Sequence, residues 1–320
     1  MGLQVDTVLV TGAAGFLGMH LTKHLLEQGF TVRATSRTAD SKAMYPLPEL
    51  AKCLPGTLEM LSLDILDAAA CERAAAGAVY IFHVAGPDTL TTGDADKDQE
   101  LIYRPAIEGT RNILHAAAKA KVKRLVITSS LVAVIGPLVQ ADTPATEDDW
   151  NDESSPYAYI NAKTQAEKEA WELAPKLGVD MVSIVPSRVV GPVLSPHRAG
   201  DSVNLVKGLL QGGGWDTIIL PLYVHVHDFV VANLRAAETP HAKGRYIVSW
   251  PGVYTNQDLK HMLQAAYPEL QLPDGLQAIN RTLDVTKLQR DLNVYPTQPS
   301  VAVIQQARSL IALGLAKSTA

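Results

Sequence analysis

Apolar positions along this chain follow two alternating periods. Thr7–Thr11 (TVLVT) is a continuous β-branched run, the pattern of a strand buried on both faces. Leu17, Leu21 and Leu25 then recur one turn apart up to Gly29, which predicts a helix with one apolar face and a glycine stop. Strands are predicted at 30–36, 58–63 and 79–84, followed by a helix over 107–120 with Pro105 near its start or kinking it. A strand at 125–128, a helix at 159–177 and a strand at 180–185 complete the alternation. The Ala-rich pieces at 68–70, 74–76 and 116–118 read as helix surfaces. Such alternation implies a parallel sheet with helices on both faces.

After Pro186 the rhythm changes. Pro192, Pro196, Gly200, Gly212-Gly213-Gly214 and Pro221 interrupt it. Short helices are predicted at 203–210, 229–237, Asn256–Ala266 and 301–313, and 245–249 (RYIVS) reads as a strand that returns to the first sheet. The expected class is α/β. Residues 1–190, with returning segments near 222–249, form a doubly wound parallel sheet, and an interleaved 191–320 forms a smaller mixed α/β domain. The length agrees: 320 residues exceed the ~100–200 of an ordinary domain.

Composition narrows the function. Hydrophobic residues make up 47% of the chain and charged ones 19%, so a packed core is affordable and a disordered chain is excluded. The net charge is 28 − 33 = −5 with no basic run, which argues against a nucleic-acid binder. No apolar run approaches the ~20 residues of a bilayer crossing, so no membrane partner is expected. Residues 1–7 show no basic segment followed by an apolar one, so no secretory signal is expected. Two cysteines, Cys53 and Cys71, lack metal-like or redox-like spacing and fit a reducing, cytoplasmic setting.

The first strand runs into Thr11-Gly12-Ala13-Ala14-Gly15-Phe16-Leu17-Gly18, a GxxGxxG loop that opens the first helix. Glycines there allow a tight turn and bring backbone N–H groups to a diphosphate at a positive helix end; a plain glycine turn is the alternative, and the position directly after a buried strand disfavours it. An acid at the end of the second strand would take the adenine ribose of NAD. Arg37 stands there instead, with Lys42 five residues on, and a guanidinium suits the 2′-phosphate of NADP+ or NADPH; an ordinary solvated charge is the alternative. Asp64, with Ile65 beside it, stands where a carboxylate could meet the adenine amino group, or cap a helix. Val84-Ala85-Gly86 ends the fourth strand with small residues that leave room for a ribose or diphosphate.

Tyr159 and Lys163 are four residues apart, one turn on one helix face. A phenol with a pKa near ~10 is a poor proton donor at neutral pH, and a neighbouring ammonium lowers that value. Alone, YxxxK is common; Tyr157 lies close by but is followed at the same distance by Asn161. Thr128-Ser129-Ser130 ends the fifth strand, where a hydroxyl can face the crevice of a parallel sheet or merely cap a turn.

Together these residues resemble the extended short-chain dehydrogenase/reductases, and most the branch containing dihydroflavonol 4-reductase, cinnamoyl-CoA reductase and the fungal methylglyoxal/aldehyde reductases. The likeness spans VLVTGAAGFLG, TVRATSR, IFHVAGP, RPAIEGTRN, VITSS, YINAKTQAEKEAW, IVPSRVVGP, GRYIVS and TKLQRDLNVYP. It implies a Rossmann-like fold and a catalytic set of Ser130, Tyr159 and Lys163. It also implies that Arg37 and Lys42 hold the NADP phosphate and that Pro186 and Val189 flank the nicotinamide. The cofactor set is then Gly12, Gly15, Phe16, Leu17, Gly18, Arg37, Lys42, Asp64, Ile65, Val84, Ala85, Gly86, Thr128, Tyr159, Lys163, Pro186 and Val189. Two departures stand out. Ala106 occupies about the place of a catalytic asparagine, and the family's His-Val-Asp-Asp is His225-Val226-His227-Asp228 here.

The expected activity is NADPH-dependent reduction of a ketone or aldehyde by a monomer or homodimer. Oxidation of a secondary alcohol, as in 3β-hydroxysteroid dehydrogenases, uses the same residues. A non-catalytic NADP sensor has no need of the Ser-Tyr-Lys set. Substrate choice is expected in 88–104, 131–150 and 191–224, where few charges in the last stretch (Arg198, Asp201, Lys207, Asp216) favour a neutral or weakly polar molecule. His225 and His227 alternate as strand ligands would, yet their place in the family pattern favours a structural role over a metal site. His20 and His24, one turn apart, are expected on the outer face of the first helix.

Overall fold

The computed structural model describes residues 6–38, 42, 44–136, 142–197, 201–212, 222–270, 272 and 281–316. Its strands are β1 (Thr7–Thr11), β2 (Thr31–Ser36), β3 (Thr57–Ser62), β4 (Tyr80–His83), β5 (Arg124–Thr128), β6 (Met181–Pro186), β7 (Arg188–Val190), β8 (Tyr223–His225) and β9 (Gly244–Val248). Its α-helices are α1 (Phe16–Glu27), α2 (Leu47–Ala51), α3 (Ala68–Ala75), α4 (Ala95–Asp98), α5 (Arg104–Ala120) and α6 (Ala158–Leu177). They continue with α7 (Asp201–Leu210), α8 (Val226–Glu238), α9 (Asn256–Ala266), α10 (Thr286–Leu292) and α11 (Pro299–Ala312).

Seven strands form one sheet in the order β3-β2-β1-β4-β5-β6-β9, and every pairing is parallel. This is the doubly wound α/β fold that the alternating periods predict. Strand order reverses between β1 and β4, and the crevice outside the carboxyl ends of these strands is where such sheets bind ligands. One face of the sheet packs against α1 and α8 through Val8, Val10, Leu21, Leu25, Phe229 and Tyr246. The other packs against α3, α5 and α6 through Leu9, Ile81, Ile113, Leu114, Leu125 and Ala170. The last strand comes from the C-terminal third: Val182 pairs with Gly244 and Pro186 with Val248. Beyond β6, Val203, Leu209, Leu259, Leu263, Val303 and Leu310 from α7, α9 and α11 form a further apolar cluster.

Several expectations are corrected. Two short strands pair in a separate parallel sheet, β7 with β8, within a stretch whose Pro and Gly punctuation hides three-residue strands. His225 and His227 do not alternate on a strand. β8 ends at His225, whose Nδ1 accepts from His227 N–H at 2.9 Å and caps α8. Its Nε2 meets Gln305 Oε1 at 2.8 Å, and Asp228 accepts from Thr297 N–H and Oγ at 2.6 and 3.0 Å. His20 and His24 are partly covered rather than outward. His20 Nε2 bonds Pro192 O at 2.8 Å, and burial lowers its pKa to about 4. The His24 ring meets His227 edge-on, with centroids 6.3 Å apart. Pro105 stands where expected, at the second position of α5, and what the sequence does not show is the π-helical turn at Gln99–Tyr103 that runs into that helix. α10 goes unpredicted, and Gly200, Gly213, Gly214, Pro221 and the charges Arg198 and Asp216 fall outside the described residues.

Candidate active site

A cleft of about 550 Å³ opens along the carboxyl ends of β1, β2, β4, β5 and β6. The glycine loop forms one end. Gly12 holds φ +74°, a left-handed conformation that glycine adopts without strain. A Cβ on Gly18 would stand 2.2 Å from Gly12 O and 2.9 Å from Ala13 Cα, so only glycine lets α1 start this close to β1. The first turn of α1 carries no acidic residue, which leaves its positive end available to an anion. The loop is braced from β4. Thr11 Oγ accepts from Val84 and Ala85 N–H at 3.2 and 3.1 Å and therefore donates to His83 Nδ1 at 2.8 Å. Thr110 Oγ donates to Ala106 O at 2.7 Å, so His83 Nε2–H is left to donate to Thr110 Oγ at 3.2 Å. Burial and the Lys163 ammonium hold His83 neutral, with its pKa pushed down to about 3.

At the end of the cleft beyond β2, Arg37 is exposed and lines the wall. Ser62 Oγ donates to Arg37 O at 2.9 Å and fixes the backbone there. Asp64 and Ile65 also line the cleft, and Asp64 Oδ1 accepts from Leu66 N–H at 3.0 Å. Lys42 is exposed and lies outside the lining. A glycine cradle at a helix start, a guanidinium at the end of β2 and the small Val84-Ala85-Gly86 wall fit an extended phosphorylated dinucleotide.

At the other end the lining holds Ser130, Tyr159 and Lys163, with Thr128, Pro186 and Val189. α6 delivers Tyr159 and Lys163 on one face, and its start is tied to the loop after β4 by Tyr159 N–H to Leu90 O at 3.0 Å. Lys163 Nζ donates to Thr128 O at 2.8 Å, and a Cβ on Gly86 would stand 3.9 Å from that nitrogen. Burial lowers the Lys163 pKa to about 8, and the Glu167 carboxylate opposes the drop. Ser130 Oγ accepts from Val132 N–H at 3.4 Å at the start of a short 3-10 turn. Thr128 Oγ has no hydrogen-bond partner among the described residues. The structure thus brings every expected catalytic and cofactor residue except Lys42 to this one cleft. Ala106 is buried against Tyr159, Ala158 and Ala162.

Sequence reasoning missed the Thr11–His83–Thr110 brace and the buried pair Glu167–Arg245. Both left signals: polar residues inside apolar runs, and Glu167 continuing the four-residue step from Tyr159 and Lys163. The apolar wall of Leu90, Leu101, Leu131, Val132 and Ile135 comes from the stretches 88–104 and 131–150 where substrate choice is expected, although none of the five was singled out. Among the described residues no helix is long and apolar enough to cross a membrane. None of their His, Cys, Asp or Glu side chains gather in threes to hold a metal ion.

The chain matches the model of the "NAD dependent epimerase/dehydratase family" over residues 8–249. It is 35% identical over 276 residues to cinnamoyl-CoA reductase 2 of Medicago truncatula, covering 84% of this chain and 79% of that protein. It is 33% identical over 295 residues to a bifunctional dihydroflavonol 4-reductase/flavanone 4-reductase of Malus domestica, covering 89% and 83%. Among solved structures, yeast methylglyoxal/isovaleraldehyde reductase complexed with NADPH superposes with a TM-score of 0.80 at 23% identity, over 96% of this chain and 99% of that one.

Proposed function

The chain belongs to the NAD dependent epimerase/dehydratase family, within the extended short-chain dehydrogenase/reductases, and from that premise we propose that it is an NADPH-dependent reductase of ketones or aldehydes. The observation that carries the reading is one cleft that joins a diphosphate cradle to Ser130, Tyr159 and Lys163. Relatives named as reductases support it. Gly12, Gly15, Phe16, Leu17 and Gly18 hold the diphosphate, Arg37 the 2′-phosphate, and Asp64 with Ile65 the adenine side. Val84, Ala85, Gly86 and Lys163 border the nicotinamide riboside, with Thr128, Pro186 and Val189 beside the ring. The dinucleotide, when bound, supplies a hydride.

The protein's own part is proton transfer and charge stabilisation. Tyr159 donates its phenolic proton to the carbonyl oxygen. The Lys163 ammonium, fixed by Thr128 O, stabilises the phenolate that remains. Ser130 donates a hydrogen bond to the same oxygen as it gains charge. Residues 1–190 with β9 carry the cofactor and the chemistry. The 191–320 stretch completes the substrate end through Val203 and Leu222, which line the cleft. The apolar wall favours a substrate with an uncharged body. We place the enzyme in the cytoplasm, where the exposed thiol of Cys53 stays reduced. The test is NADPH consumption by purified protein across a panel of aldehydes and ketones. Cofactor binding without turnover on any of them would overturn the reading.

Two further results are expected. Arg37→Ala should weaken NADPH binding by roughly 10- to 100-fold, the worth of a charge-assisted phosphate contact, and leave NADH within a few-fold. Titration of cofactor fluorescence checks this, and equal losses for both cofactors would contradict it. The pH profile should also carry an alkaline limb. Lys163 is cationic below its pKa of about 8 and loses its charge as the pH rises through that value, so kcat/KM for carbonyl reduction should fall there. A profile flat to pH 10 or so would deny the lysine its charge-bearing role.

A further inference from the structure

Glu167 lies one turn beyond Lys163 on α6, and its side chain is 1% exposed. Oε2 accepts from Ser129 Oγ at 2.5 Å, and Oε1 accepts from Trp171 Nε1 at 3.3 Å. Arg245 reaches in from β9 and donates Nε to Oε1 at 2.9 Å and Nη2 to Oε2 at 3.1 Å. Its Nη1 donates to the carbonyls of Glu147 and Asp149 at 3.0 and 2.7 Å. The guanidinium lies 3.7 Å over the Trp150 ring. The fork is bidentate and leaves the carboxylate one geometry. A buried ion pair is weak evidence for stability, because desolvation offsets its attraction. Positioning is the better account.

The placement matters because one face of α6 grips two consecutive residues at the end of β5. Lys163 holds the carbonyl of Thr128, and Glu167 holds the hydroxyl of Ser129. Ser130 follows with φ −156° and ψ 150°, and along an extended chain successive side chains leave on opposite sides. Turning Ser129 toward α6 therefore turns Ser130 the other way.

We propose that Glu167, clamped by Arg245, is a positioning residue of this site: it selects Ser130 over Ser129 as the hydroxyl that meets substrate, and it sustains the charge of Lys163. The Ser130 half rests on the reductase reading. Among the described residues, Glu167 on its own helix and His83 from β4 act electrostatically with Lys163, Tyr159 stands one turn before it on the same helix, and Arg245 from β9 pairs with Glu167. His83 is neutral, so Glu167 supplies the negative field that opposes desolvation of the ammonium.

The test needs two readouts. The first is the pH dependence of Lys163 acetylation by acetic anhydride, read by peptide mass spectrometry, which requires no turnover. Glu167→Gln should move the midpoint to lower pH by about one unit; an unchanged midpoint overturns the charge role. If that variant leaves Arg245 unpaired and does not fold, Glu167→Gln with Arg245→Met removes both charges and should shift the midpoint in the same direction. The second is Ser129→Ala, which keeps the ion pair. It should lower kcat on the order of 10-fold while the NADPH Kd stays put, with a melting temperature a few degrees lower from the lost buried hydrogen bond; wild-type kcat overturns the serine-selecting role. A wild-type chain with no turnover counts against the reductase reading, and the acetylation titration still decides the Glu167 half.

Discussion

Tyr159→Phe should lower kcat for carbonyl reduction by about 10²- to 10⁴-fold, the usual worth of a positioned proton donor, while the Kd for NADPH changes little. The phenyl ring keeps the packing of Tyr159 against Ala106, Ala158 and Ala162, and the backbone anchor to Leu90 O is untouched. Only the hydroxyl is lost. The ammonium of Lys163, one turn along α6 and fixed 2.8 Å from Thr128 O, is the cation that supports this phenol as a proton donor. Steady-state rates with a saturating aldehyde, beside cofactor titration by fluorescence, separate the two effects. Full activity in the variant would show that the proton comes from elsewhere.

The second large effect belongs to the glycine cradle. Gly18→Ala should weaken NADPH binding on the order of 100-fold and destabilise the fold by about 1–3 kcal/mol. The added Cβ would lie 2.2 Å from Gly12 O and 2.7 Å from Gly12 C. These are backbone atoms that no rotamer change can move, so the loop or the start of α1 must shift. The loop cannot shift freely, because Thr11 Oγ is already shared among Val84, Ala85 and His83. The contrast is Gly208, where an added Cβ meets nothing within 4 Å. Gly208→Ala should leave cofactor affinity alone. Calorimetry for binding and thermal melts for stability check both, and a Gly18→Ala protein with native affinity would remove the diphosphate assignment.

How much of this was legible in the sequence depended on whether a signal was local. The β-branched run Thr7–Thr11 and the leucine step of α1 are periodic, and both elements lie where the pattern puts them. The glycine loop, the strand-end serines and YxxxK each carry their meaning within a few residues, and the fold brings them to one cleft. The strand 245–249 was readable as a strand, and its return to β6 completes the sheet. What failed was non-local. His225-Val226-His227 looks like alternation on a strand, but β8 stops at His225 because the imidazole caps α8. His20 and His24 look solvent-facing on α1 alone, and neither Pro192 nor His227 is visible from that helix. The choice between Ser129 and Ser130 needs Glu167, 38 residues away, and Arg245, 78 beyond that.

The central claim is that this cleft passes a hydride from NADPH to a carbonyl carbon with the protein supplying the proton. The most direct measurement uses NADPH carrying deuterium at both hydrogens of nicotinamide C4 and an aldehyde or ketone that supports turnover. Mass spectrometry of the alcohol should find one deuterium on the former carbonyl carbon and none on its oxygen, in step with the NADPH consumed. An alcohol without label, or cofactor oxidised with no alcohol formed, would contradict the account.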